Sequence, residues 1–235
     1  MKNICAGLIV CMSMLSGCLV TSPVSQQTRI DEVPMYGGID RMAIPEFRAG
    51  DAKFISDVSA QFGSRENAAA IWVGRGFKFQ QEGQPGIAMR RFNQAWLLNP
   101  KNPEVYAGFA SVLHDQGKNC EAMKMMDKAL ELDPPKFQGI YPDAGRVITL
   151  CAVSDNSLTP EGRKRLFERS EQLYQLAESV EPNKRYVYSS WATAYYWRAQ
   201  YAEAWKMVAK ERATGGRPSE RFLDLLAAKM PEPGL

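Results

Sequence analysis

Histidine is nearly missing from this chain: His114 stands alone among 235 residues. One imidazole cannot build a His-rich metal centre. No GxSxG, P-loop, HExxH or CxxC spacing is present to frame catalysis or nucleotide binding. Glu and Asp are scattered as on solvated helix faces, so the expectation is a protein that is not an enzyme and carries no metal and no cofactor. Charge of one sign is also lacking. Lys and Arg number 29 against 26 Asp and Glu, a net charge of +3. No basic patch or stripe is visible, which argues against nucleic acid. Past the N-terminus no apolar run reaches the roughly 20 residues that span a bilayer. Cysteine is scarce: five in all, with Cys5, Cys11 and Cys18 at the N-terminus. The remainder, 45% hydrophobic and 23% charged, is an ordinary globular composition, enough for one domain and a leader.

What is there begins with an address. Lys2 supplies a positive start and Ile4 to Leu15 an apolar core of signal-peptide length, too short to span. Leu15-Ser16-Gly17-Cys18 resembles the lipobox of bacterial lipoproteins. That resemblance implies cleavage after residue 17, leaving 1–17 as signal peptide, and acylation of Cys18. Several acyl chains anchor firmly where one is marginal. Leu19 after the cysteine, in place of Asp, implies sorting to the outer membrane with the domain facing the periplasm. The alternative is an ordinary signal peptide with an incidental cysteine. Residues 18–45, rich in Ser, Thr, Gln, Pro and Gly, read as a flexible tether.

The strongest internal pattern is a gapless repeat with a period of 34 over 69–136. Trp72 pairs with Tyr106, Gly76 with Ala110, Phe79 with Leu113 and Gly83 with Gly117. Ala88 then pairs with Ala122, Phe92 with Met126, Ala95 with Ala129 and Pro100 with Pro134. The period and the order of large, small and terminal Pro residues resemble the tetratricopeptide repeat. The implied fold is an all-α right-handed solenoid of about four helix-turn-helix repeats over 64–216, with capping helices at 46–63 and 217–235. Phe54, Ile55, Val58 and Phe62 give the first cap its apolar spacing within Asp51–Phe62. Ser64 reads as the next N-cap, and helices are expected at 103–116 and 119–132. The third unit is degenerate, with a late start at Tyr141-Pro142 and an insertion at 154–158. Thr159-Pro160-Glu161 is a strong helix start. The fourth unit regains the register from Arg185 with Tyr188, Trp191, Ala192, Tyr195, Ala204 and Val208. Gly215-Gly216 closes it, and Ser219 reads as the cap of a last helix.

In that register Cys120 opens the second helix of one repeat and Cys151 falls near the end of the next repeat's first helix. Stacking makes those helix ends neighbours, so a Cys120–Cys151 disulfide is expected. The alternative is two small buried hydrophobes.

The tetratricopeptide resemblance places first-helix residues on a concave binding face. Carried over, these are Phe77, Gln80 and Gln81, then Ala107, Ser111 and His114, then Tyr186, Ser189, Thr193, Tyr196 and Trp197. The expected groove is neutral, becomes aromatic toward the C-terminus, and suits an amphipathic helix. Short lipoproteins made almost wholly of such repeats resemble the pilotins of type IV pilus systems and the Tad pilus lipoprotein TadD. That likeness implies an assembly factor whose partner is a secretin subunit or its C-terminal helical segment. The alternative is a general envelope scaffold for cell-wall or outer-membrane assembly proteins.

Overall fold

The computed structural model describes residues 40–234. The signal peptide, Cys18 and the tether as far as residue 39 lie outside the described residues. A one-turn 3-10 helix at Arg41–Ala43 leads into α1 (Pro45–Phe62), α2 (Arg65–Gln81), α3 (Pro85–Leu98), α4 (Pro103–Asp115) and α5 (Asn119–Glu131). These are followed by α6 (Ile140–Ser154), α7 (Pro160–Val180), α8 (Lys184–Trp197), α9 (Tyr201–Ala213) and α10 (Glu220–Ala227). The pairs α2/α3, α4/α5, α6/α7 and α8/α9 pack internally, and each stacks on the next. This is the tetratricopeptide solenoid arrangement: four helical hairpins, with α1 and α10 at the ends.

The helix starts follow from local chemistry. Ser64, Asn102, Thr159 and Asn183 each accept a backbone N–H of the first turn through the side chain. Such caps satisfy donors that the helix itself leaves unpaired. Proline opens α1, α3, α4 and α7, where its missing N–H costs nothing. Two starts differ from expectation. Pro45 begins α1 six residues before Asp51. Ser219 precedes α10 but its side chain makes no cap hydrogen bond. The tether also ends sooner than residue 45. Asp40 caps the 3-10 turn, and Arg41, 5% exposed, grips the buried Asp51 through Nε at 2.8 Å and Nη2 at 2.6 Å.

The intra-repeat turns share one geometry. Gln84, Lys118 and Gln200 donate their N–H to the carbonyls of Phe79, Leu113 and Tyr195, each at 2.9 Å. The residue before each is left-handed: Gly83 at φ +71°, Gly117 at +75° and Ala199 at +57°. Glycine adopts that region freely, whereas alanine pays for its Cβ. Ala199→Gly is expected to raise stability by about 0.5–1 kcal/mol in a denaturant titration. An unchanged or lower midpoint would show that the turn is not strained. The third hairpin lacks this turn. Its α6 ends in extended backbone at Asp155, and α7 runs 21 residues against 14 for α3 and 13 for α5.

Two apolar clusters form a continuous spine, from Val58 to Val147 and from Tyr141 to Leu226, with Leu130 and Leu173 packed against both. Phe92, fully buried, stands edge-on to Phe77 at 5.0 Å and to Phe109 at 6.3 Å. Tyr174 stacks on Trp191 at 5.3 Å, and Trp191 on Tyr195 at 5.9 Å. The Tyr106 and Tyr141 hydroxyls donate back to the carbonyls of Pro100 and Pro134, the terminal prolines of the preceding repeats. Cys120, in the first turn of α5, is disulfide-bonded to Cys151 near the end of α6, with Cα atoms 4.7 Å apart. The bond joins the second hairpin to the irregular third.

Glu181, 2% exposed, accepts the Gly139 N–H at 3.1 Å and so ties the end of α7 to the start of α6. Burial raises its pKa above the usual glutamate value, and Asp143 adds to the rise; the Gly139 hydrogen bond and Lys184 oppose it. A carboxyl with a raised folded-state pKa binds its proton more tightly folded than unfolded. Its charge burial costs nothing below the ordinary carboxyl titration and destabilises as pH climbs through the folded value. Glu181→Gln keeps the acceptor and removes the charge. Melting curves of variant and parent should converge at acid pH and separate above it, with the variant higher at pH 7. A variant melting lower at pH 7 would overturn this.

Candidate partner groove

The first helices α2, α4, α6 and α8 lie side by side and form one face of the solenoid. In the middle of it lies a hollow of about 320 Å³ lined by Phe77, Glu104, Ala107, Ser111, Gln138, Ile140 and Asp143. A second hollow of about 320 Å³ lies by the fourth hairpin among Asn183, Arg185, Tyr186, Ser189, Glu211, Gly216 and Arg217. Tyr186 connects the two: it lines the second and donates its hydroxyl to Asp143 Oδ1 of the first. Its ring lies against Gly139, where a Cβ would stand 3.0 Å away.

Of the residues expected on the groove, Phe77, Ala107 and Ser111 share the first hollow, and Tyr186 and Ser189 share the second. Gln80 borders the first, donating to Ser111 Oγ at 2.5 Å and Asp115 Oδ2 at 2.8 Å. Gln81 is exposed and lines neither hollow. His114 is turned to internal work: Nδ1 lies 2.8 Å from Asn119 Oδ1, joining α4 to α5. Thr193 donates to the Ser189 carbonyl of its own helix at 3.0 Å. Tyr196 meets Tyr201 and Phe222, at 5.8 and 5.9 Å, within the packing of α8 against α9 and α10. Trp197 stays 51% exposed at the end of α8.

The groove is not neutral, contrary to the sequence expectation. Glu104 and Asp143 face the first hollow, Asp115 stands beside Gln80, and Arg185 and Arg217 border the second. Glu104 was within reach of the repeat register, because it is the counterpart of Tyr186. Gln138 and Asp143 were not. One extra residue separates Pro134 from Tyr141 relative to Pro100 and Tyr106, which shifts the third unit off the 34-residue period. Burial raises the Glu104 pKa above the usual glutamate value, against a smaller opposing hydrogen bond from Asn102. Burial also raises Tyr186, with Asp143 adding to the effect.

A larger groove, about 1040 Å³, runs beneath the overhanging start of α7 against α8 and α9. Its main polar groups are already paired with one another. Glu171 accepts from Tyr195 at 2.7 Å and Arg198 at 3.4 Å, and Arg198 covers the Phe167 ring at 4.7 Å. Among the described residues no cluster of three or more His, Cys, Asp or Glu is placed to hold a metal, and no helix is long and apolar enough to cross a membrane.

A family model described as tetratricopeptide repeat matches residues 79–139, from the last turn of α2 to the threshold of α6. No curated protein matches the chain. Fold and turn geometry agree with that match: residues 79–139 are similar to a tetratricopeptide repeat, and the four helical hairpins have the arrangement of such a solenoid. Proteins of that class are in general non-catalytic scaffolds that bind other proteins.

Proposed function

We propose that this chain is an outer-membrane lipoprotein that acts as a pilotin-like assembly factor for the secretin of a Tad or type IV pilus or secretion system. In this reading Cys18 carries the lipid, the tether holds the solenoid in the periplasm, and the groove holds a helical segment of a secretin subunit. The observation that carries the binding half is the pair of hollows joined through Tyr186, on a chain that also keeps large aromatic surfaces in solvent. Phe137 is 68% exposed, Trp197 51% and Tyr186 39%. Exposed aromatics of this kind are common anchors in protein interfaces. The lipobox supports the location.

The test is a crosslinked pull-down of the full chain from its native envelope, identified by mass spectrometry. Cys18→Ser, Phe137→Ala and Trp197→Ala run beside the parent. Recovery of a secretin that mislocalises or fails to multimerise in Cys18→Ser supports the proposal. Phe137→Ala and Trp197→Ala should each weaken capture roughly tenfold or more without lowering the melting temperature. Recovery of cell-wall synthases or outer-membrane assembly subunits and no secretin would replace the assembly factor with a general scaffold. Tyr196→Ala is the wrong probe, because it opens the packing of α8 against α9 and α10 and should unfold the C-terminal end.

A further inference from the structure

The first hollow states what kind of residue it takes. Its lining carries two carboxylates, Glu104 and Asp143, and the unpartnered oxygen of Gln138, and no cationic side chain. Asp143 Oδ1 already receives Arg146 Nη2, at 2.9 Å, and the Tyr186 hydroxyl. Ser111 Oγ already receives Gln80. Glu104 has no cationic partner among the described residues, although it is half-buried. Gln138 Oε1 is buried with no hydrogen-bond partner. The Phe77 ring lies in the same wall. An uncompensated carboxylate, an unmet carbonyl oxygen and an aromatic surface together demand a cationic donor. An anion is disfavoured by Glu104, and an apolar side chain would leave the Glu104 charge without a counter-charge and the Gln138 oxygen without a donor.

We propose that this hollow takes the ammonium or guanidinium of one Lys or Arg side chain projecting from the segment bound in the groove. The proposal rests on the reading of the concave face as the partner groove, and adds what that partner must carry. Phe137, next to Gln138 in the chain and 68% exposed, offers an apolar seat for a neighbouring residue of the same segment.

The test is selection of a phage-displayed randomised dodecapeptide library on the full chain, repeated on Glu104→Gln and Tyr186→Ala. Glu121→Gln, an exposed carboxylate on α5, controls for general charge. Binders should carry Lys or Arg at one shared position. Synthetic peptides from that pool should bind Glu104→Gln roughly ten- to a hundredfold more weakly, and norleucine at the basic position should lose as much. Glu121→Gln should leave Kd unchanged, and Glu104→Gln should melt no lower than the parent. Binders without a basic position that are nevertheless lost on Tyr186→Ala would overturn the cation and keep the groove. Binders unaffected by either groove variant, or no binders at all, would overturn both.

Discussion

Gly108→Ala will destabilise the protein by about 1–2 kcal/mol, while Gly74→Ala will stabilise it by about 0.5–1 kcal/mol. The two glycines occupy the same position of successive repeats, 34 residues apart, and each sits inside a first helix. Helix propensity alone favours alanine at both by nearly the same amount. The surroundings differ. A Cβ on Gly74 meets nothing within 4 Å. A Cβ on Gly108 would stand 2.2 Å from Cε1 of Phe92 and 2.4 Å from Cδ1. Phe92 has no exposed surface and is hemmed by Phe77 and Phe109, so its ring cannot swing away. Overpacking of a filled core typically costs 1–3 kcal/mol, which outweighs the propensity gain. Urea titrations of the two variants decide it. Stabilisation by both would mean that α4 can shift against α3 and that the close approach is not a constraint.

Removing the disulfide should be the second large loss. The Cys120→Ser/Cys151→Ser double variant is expected to lose about 3–4 kcal/mol, the chain-entropy value for a loop closed over 31 residues. The place matters as much as the size. In a solenoid each hairpin leans only on its neighbours. The bond crosses from α5 to α6, where the third hairpin has lost the left-handed turn that closes the other three. Amide exchange should therefore quicken first in α6 and α7, with α2 and α3 protected longest. Two free thiols in unreduced, denatured protein would remove the bond, and a double variant as stable as the parent would remove its structural role.

The groove shows why some features were readable and others were not. Phe77, Ala107, Ser111, Tyr186 and Ser189 came from register alone, because every tetratricopeptide hairpin turns the same first-helix positions inward. His114, Thr193 and Tyr196 have the right register, yet each is engaged within the fold: His114 by Asn119, Thr193 by the Ser189 carbonyl one helical turn back, and Tyr196 by the α10 residue Phe222, whose nearness no spacing reveals. The polarity of the groove was missed for a related reason. Its lining draws on Asp143 and the neutral Gln138, which sit one residue out of period.

The all-α repeat, the helix starts at Ser64 and Thr159, the helix from residue 103 and the hairpin turns at Gly83 and Gly117 could all be read from the sequence. These are local matters, decided by caps, φ preferences and apolar spacing within about one turn of the residue concerned. Only the tertiary structure decided which of two equivalent glycines touches an aromatic ring, and that Arg41 is buried against Asp51. It likewise brought a loop residue, Gln138, into the same hollow as Glu104 of the preceding hairpin. Those outcomes depend on the distance between helices far apart in the chain, and no periodicity carries that distance.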